Sequence, residues 1–125
     1  MKLVKKQKNE SERLIENLKK ATNSMIMLSI FSLRPMNLDE IKRYLDDKSN
    51  SVCKISYPYA AIYRMLDSGY IQSCGKKQER NERRREYYKI TRKGEQHLQS
   101  LRVSYENFSQ SINDILKSVD LQMEE

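Results

Sequence analysis

Apolar residues recur at helical spacing in four stretches of this chain, and the breaks between them carry turn chemistry. Leu14, Leu18, Ala21, Met25 and Leu28 alternate steps of four and three, and Ile15, Ile26, Ile30 and Phe31 widen the stripe toward its end. This predicts one helix over 10–33, opened by an Asn9/Glu12 capping box and ended by Pro35. Its narrow first half suits a partner helix, and its broad second half suits a domain core. A second capping box, Asn37 with Glu40, opens a short helix with Leu38, Ile41 and Leu45 on one face, through about Asp47. The polar run DDKSNS is then a turn, and Val52 to Ile55 is read as a short edge strand.

The third helix is expected from Ser56 or Tyr57 to Ser68, with Pro58 in its first turn and Gly69 as a left-handed cap. Ile62, Met65, Leu66 and part of Tyr59 form its apolar face; Ser56, Tyr57, Ala60, Tyr63 and Arg64 lie opposite. β-forming residues then flank a polar middle, with Tyr70 and Ile71 on entry and Tyr87, Tyr88 and Ile90 on exit, the pattern of a hairpin with a solvated tip. Thr91 caps a last helix in which Leu98, Leu101, Tyr105, Phe108, Ile112, Ile115 and Val119 keep a period of about 3.5. The neighbouring positions are polar, so this stripe fits a seam between two helices better than a broad core face.

Charge sharpens the picture. Between Gln72 and Lys93 stand nine basic residues, Lys76, Lys77, Arg80, Arg83, Arg84, Arg85, Lys89, Arg92 and Lys93, against Glu79, Glu82 and Glu86. That local +6 holds most of the chain's +7, whereas residues 94–125 carry six acids and two bases. One end is built to meet phosphate and the other to meet something else. A short helix, a turn, a second helix with hydroxyl-tipped aromatic rings and a basic hairpin follow in the order of a helix-turn-helix with a wing. The fold expected is mainly α with a small β-hairpin, a winged helix-turn-helix of order α-α-α-β-β-α.

Length and composition agree with this. At 125 residues the chain is one domain, read as an N-terminal helix (10–33), a winged helix-turn-helix (34–93) and a C-terminal dimerisation helix (94–125). With 38% hydrophobic and 33% charged residues and a mean hydropathy of -0.86, it has little apolar area to spare. Such a chain often completes its core in an oligomer. Leu14, Leu18 and Met25 of the first helix and the seven seam residues of the last are therefore assigned to a homodimer interface. With neither a signal-peptide pattern nor a long apolar run, the expected location is the cytoplasm, with no membrane partner.

Enzymatic chemistry finds few groups. His97 is the only histidine, and Gly69, Gly75 and Gly94 form no phosphate-cradling loop. Cys53 and Cys74 stand 21 residues apart with no second pair, so they read as reduced thiols rather than metal ligands. No catalytic residue, metal or cofactor is expected.

The stretch YAAIYRMLDSGYI, the basic loop and then REYYKITRKGEQHL resemble the PadR family of winged-helix regulators. Tyr59 matches the tyrosine opening that family's recognition helix, Ile62 and Met65 its apolar repeat, and Gly69 its cap. Arg85, Tyr87, Tyr88 and Ile90 match the wing's return strand, and Thr91, Gly94 and Leu98 open the last helix. The likeness spans about residues 25–100; in the second helix Asn37-Leu38 replaces the family's common Gly-Tyr pair, and the wider pattern is shared with MarR-like repressors. It implies a homodimeric bacterial repressor of the smaller subclass, bound to a palindromic operator and sometimes released by a small molecule at the dimer interface. The tryptophan that some relatives use to hold flat aromatic drugs is missing, as this chain has no Trp.

On this reading Ser56, Tyr57, Tyr59, Ala60, Tyr63 and Arg64 face a major groove of double-stranded DNA, while Lys76, Lys77, Arg80, Arg83, Arg84 and Arg85 meet phosphate or the adjacent minor groove. Two alternatives stay open. The heptad helices could serve a non-enzymatic protein-interaction module, or Cys74, near Lys76 and Lys77, could make the repressor thiol-responsive.

Overall fold

The computed structural model describes residues 7–49, 53–78 and 83–124. Their order is α1 (Glu10–Phe31), α2 (Leu38–Ser49), α3 (Pro58–Asp67), β1 (Ile71–Lys77), β2 (Arg85–Ile90) and α4 (Arg92–Met123). The expected mainly helical fold with an antiparallel two-stranded hairpin is what the chain adopts.

The helix starts follow their caps. Asn9 Oδ1 accepts from Glu12 N at 2.8 Å. Asn37 Oδ1 accepts from Glu40 N at 2.9 Å, and Glu40 Oε1 accepts from Asn37 N at 3.1 Å, a reciprocal box that satisfies two helix-end donors at once. Thr91 Oγ1 accepts from Gly94 N at 3.0 Å and itself donates to the Gly69 carbonyl at 2.5 Å, tying the start of α4 to the end of α3. That end is a Schellman turn: Gly69 sits at φ 78, Tyr70 N donates to Met65 O and Gly69 N to Leu66 O. α1 stops at Phe31, two residues short of the expected boundary. Ser32 and Leu33 tighten into bonds to Leu28 O and Ile30 O, and the residue before Pro35 is driven from helical geometry.

The core joins the second half of α1 (Met27, Leu28, Ile30, Phe31) to Ile41 and Leu45 of α2, Ala61, Ile62 and Met65 of α3, Ile71 of β1 and Leu98 of α4. Leu14, Ile15 and Leu18, in the first half of α1, are left exposed. Three expectations need correction. Leu98, assigned to the dimer seam, is a core residue at 8% exposure, because the first turns of α4 lie against this domain; Leu101 packs partly on it too. Tyr59 is 68% exposed, and Ala61 takes the buried place expected for it. Residues 53–55 are not a strand, and position 52 lies outside the described residues.

β1 and β2 pair from Ile71 with Ile90 to Lys77 with Arg85, and a bulge interrupts the register: Ser73 faces Tyr88 and Gly75 faces Tyr87, leaving Cys74 as the extra residue. Gly75, at φ 88, supplies the left-handed conformation there. The hairpin is anchored from the other side by Met36, which exchanges both backbone hydrogen bonds with Tyr88, at 3.0 and 2.9 Å. The Tyr88 ring meets Phe31 edge-on, with centroids 6.2 Å apart, so the wing is fastened to α1 by backbone and ring alike.

Candidate nucleic-acid interface

α3 divides cleanly. With Ala61, Ile62 and Met65 turned inward, the i, i+3, i+4 spacing turns Tyr59, Ala60, Tyr63 and Arg64 outward. Tyr57, Tyr59 and Tyr63 are 71%, 68% and 70% exposed, although an aromatic ring would ordinarily be covered. Three large rings bared at the cap and along one short helix make an exposed aromatic patch.

The start of α3 is held from α1. Asn23, a buried polar residue, donates from Nδ2 to Ser56 O at 2.9 Å and accepts from Ser56 N at Oδ1 at 3.1 Å. Ser56 is accordingly half-buried and bound through its backbone, less open than the rest of the expected face. Tyr57 follows at φ 48, ψ 62, a left-handed conformation rare for a side chain of this size. It makes no side-chain cap of its own, so the Asn23 clamp is what precedes and steadies the turn.

Burial pushes the Tyr88 phenol of the wing's return strand above its ordinary value, and the Glu86 carboxylate and the Tyr63 and Tyr59 hydroxyls add to it. Glu86 also accepts from the Ser73 hydroxyl across the hairpin.

The cations are displayed outward. Lys76, Lys77, Arg83 and Arg84 are exposed, with Lys77 Nζ 5.5 Å from the centroid of the Tyr87 ring. Arg85 is held differently: its guanidinium meets Asp39 of α2 at 2.6 Å, with both side chains 40% exposed. Arg80 lies outside the described residues. Beside that ion pair opens a cleft of about 480 Å3, lined by Asp39, Lys42, Arg43, Arg83 and Arg85. Lys42 and Arg43 were not among the expected site residues; their only signal was an adjacent basic pair on the polar side of α2.

Along α4, Tyr105, Phe108, Ile112, Ile115 and Val119 are all exposed, in contrast to Leu98. His97, half-buried, stacks flat on Tyr70, with centroids 4.0 Å apart and planes 6° from parallel, while Lys93 Nζ approaches that ring at 5.6 Å. The histidine is therefore part of the joint between the wing and α4. Cys53 and Cys74 are both half-buried free thiols, one before α3 and one in the wing's bulge.

Comparison with known proteins bears on the same region. No curated protein sequence matches the chain. Among solved structures, a transcriptional regulator from Clostridium thermocellum is 25% identical, with 78% of this chain and 96% of that one covered at a TM-score of 0.69. A PadR-like transcriptional regulator from Bacillus cereus strain ATCC 14579 is 23% identical over 80% and 96% of the two chains, with a TM-score of 0.68. A conserved protein of unknown function, described as a potential transcriptional factor, is 14% identical yet covers 97% of this chain and 100% of its own, with a TM-score of 0.71. The profile of the transcriptional regulator PadR-like family matches residues 27–100, from the second half of α1 through α2, α3 and the wing into α4. The chain belongs to the PadR-like family of transcriptional regulators.

Proposed function

We propose that this regulator binds a palindromic operator as a homodimer and represses transcription from it, working in the cytoplasm on nucleoid DNA. The observation that carries the reading is exposure on two consecutive elements: bare tyrosine rings and Arg64 on and just before α3, and exposed cations on the hairpin that follows it. Tyr57, Tyr59, Ala60, Tyr63 and Arg64 enter the major groove, where hydroxyl and guanidinium donors read base edges and a methyl can meet thymine. Lys76, Lys77, Arg83 and Arg84, with Arg80 beyond the described residues, meet phosphate.

Dimerisation joins the exposed first half of α1 to the exposed stripe of α4. Leu14, Leu18, Tyr105, Phe108, Ile112, Ile115 and Val119 are candidate contacts; Met25, half-buried against the core, lies at their inner edge. An effector site fits the same region: a cavity of about 320 Å3 is lined by Leu18, Met25, Ile26, Cys53 and Tyr105, among others. Its wall is mostly apolar, as suits a small hydrophobic molecule.

The test is fluorescence anisotropy against duplexes selected from fragments of the source genome. Tight binding to a palindromic fragment with a steep salt dependence supports the reading. Absence of binding at low salt would overturn it and turn attention to the helix seam as a protein-binding surface.

A further inference from the structure

An open cleft between α2 and the wing is strongly cationic. Four cations, Lys42, Arg43, Arg83 and Arg85, line it against one carboxylate, Asp39. That carboxylate is already engaged by Arg85 at 2.6 Å, and Lys42, Arg43 and Arg83 have no ion-pair partner among the described residues. Elsewhere on α2, Glu40 pairs with Arg34 at 2.9 Å. Three cations without an ion pair among the described residues, gathered around one spent carboxylate, repel one another, and a counter-anion between them relieves that repulsion. Two of the four come from the wing and two from a helix that plays no part in base reading, so the cleft joins separate elements around one volume.

We infer that this cleft is a phosphate site for the duplex backbone, with Lys42 and Arg43 as its α2 contacts and Asp39 as the anion that holds Arg85 until phosphate arrives. The inference rests on the DNA-binding reading above and extends it from the wing onto α2. Arginine suits the exchange, because its planar fork pairs with carboxylate and with phosphate in the same manner. In the free protein Asp39 keeps Arg85 and the start of β2 against α2. On DNA, a phosphate seated among Lys42, Arg43 and Arg83 draws the Arg85 guanidinium toward itself, and the Asp39 charge then works against binding.

The experiment titrates salt against the affinity for a short random-sequence duplex, because phosphate contacts supply nearly all of such non-specific binding. Lys42→Ala with Arg43→Ala should make the log-log slope of the dimer less negative by about 2 to 4 and lower affinity alike for random and selected duplexes. Both side chains are exposed on a helix, and circular dichroism checks that the fold is kept. Asp39→Asn should act oppositely, tightening binding and steepening the slope. If the wild type binds and wing substitutions flatten its slope while these two variants match wild type, the cleft is not a DNA contact and the inference fails alone. If inorganic phosphate binds saturably through Lys42 and Arg43 while the DNA slope ignores them, the cleft belongs to a free phosphorylated ligand and the inference also fails. If the wild type binds no duplex, it falls together with the reading it rests on.

Discussion

Asn23 on α1 and Ser56 ahead of α3 are joined by two hydrogen bonds, one in each direction, with the asparagine amide serving as donor at 2.9 Å and acceptor at 3.1 Å. The pair spans 33 residues of sequence and couples the helix proposed for dimerisation to the first turn of the proposed recognition helix. Asn23→Ala removes both bonds and leaves the Ser56 backbone groups without their partner. We expect a loss of about 2 kcal/mol in urea denaturation. Because Tyr57 sits next to the clamp in a left-handed conformation, operator affinity should fall by more than non-specific affinity.

Gly94 lies where α4 passes the end of α3. A Cβ there would overlap the Tyr70 carbonyl oxygen and come within 2.8 Å of Ile90 Cγ1. Its backbone is ordinary, so the constraint is space rather than conformation. Since one obstacle is backbone, Gly94→Ala should destabilise the fold by about 3 kcal/mol, seen as a lower denaturation midpoint. At Gly75, where nothing lies within reach of an added Cβ, alanine meets only the cost of a positive φ and should be milder.

The exposed stripe of α4 makes a separate prediction. Phe108 and Ile115 are 67% and 63% exposed, and one face of a long helix with such residues at heptad spacing is a surface to be covered. Light scattering at micromolar concentration should give a dimer for wild type. Phe108→Asp with Ile115→Asp should give a folded monomer, because neither side chain belongs to the core.

Much of this architecture was legible in the sequence, because its signals are local. Asn9, Asn37, Thr91 and Gly69 mark helix ends by hydrogen bonds made within a few residues. The hairpin was legible from β-formers flanking a charged middle. What escaped depends on distant partners. The backbone exchange of Met36 with Tyr88 joins residues far apart in sequence and leaves no local pattern. The bulge at Cys74 is one residue of slippage, visible only once both strands are paired. Leu98 lies in register with Leu101 and Tyr105, so periodicity alone cannot say where the domain core ends and an exposed stripe begins. The cleft around Asp39 was hidden for the same reason: Lys42 and Arg43 become neighbours of Arg83 and Arg85 only when the wing folds back on α2.

The most direct test of the DNA-binding account is the salt dependence of duplex binding for wild type and for a variant with Lys76, Lys77, Arg83 and Arg84 changed to alanine. If each wing neutralises three or four phosphates, the wild-type dimer should show a log-log slope of about -5 to -7, and the variant a slope much closer to zero with weaker binding at every salt concentration. A variant whose slope equals that of wild type would contradict the account, because the wing would then not be where this protein meets DNA.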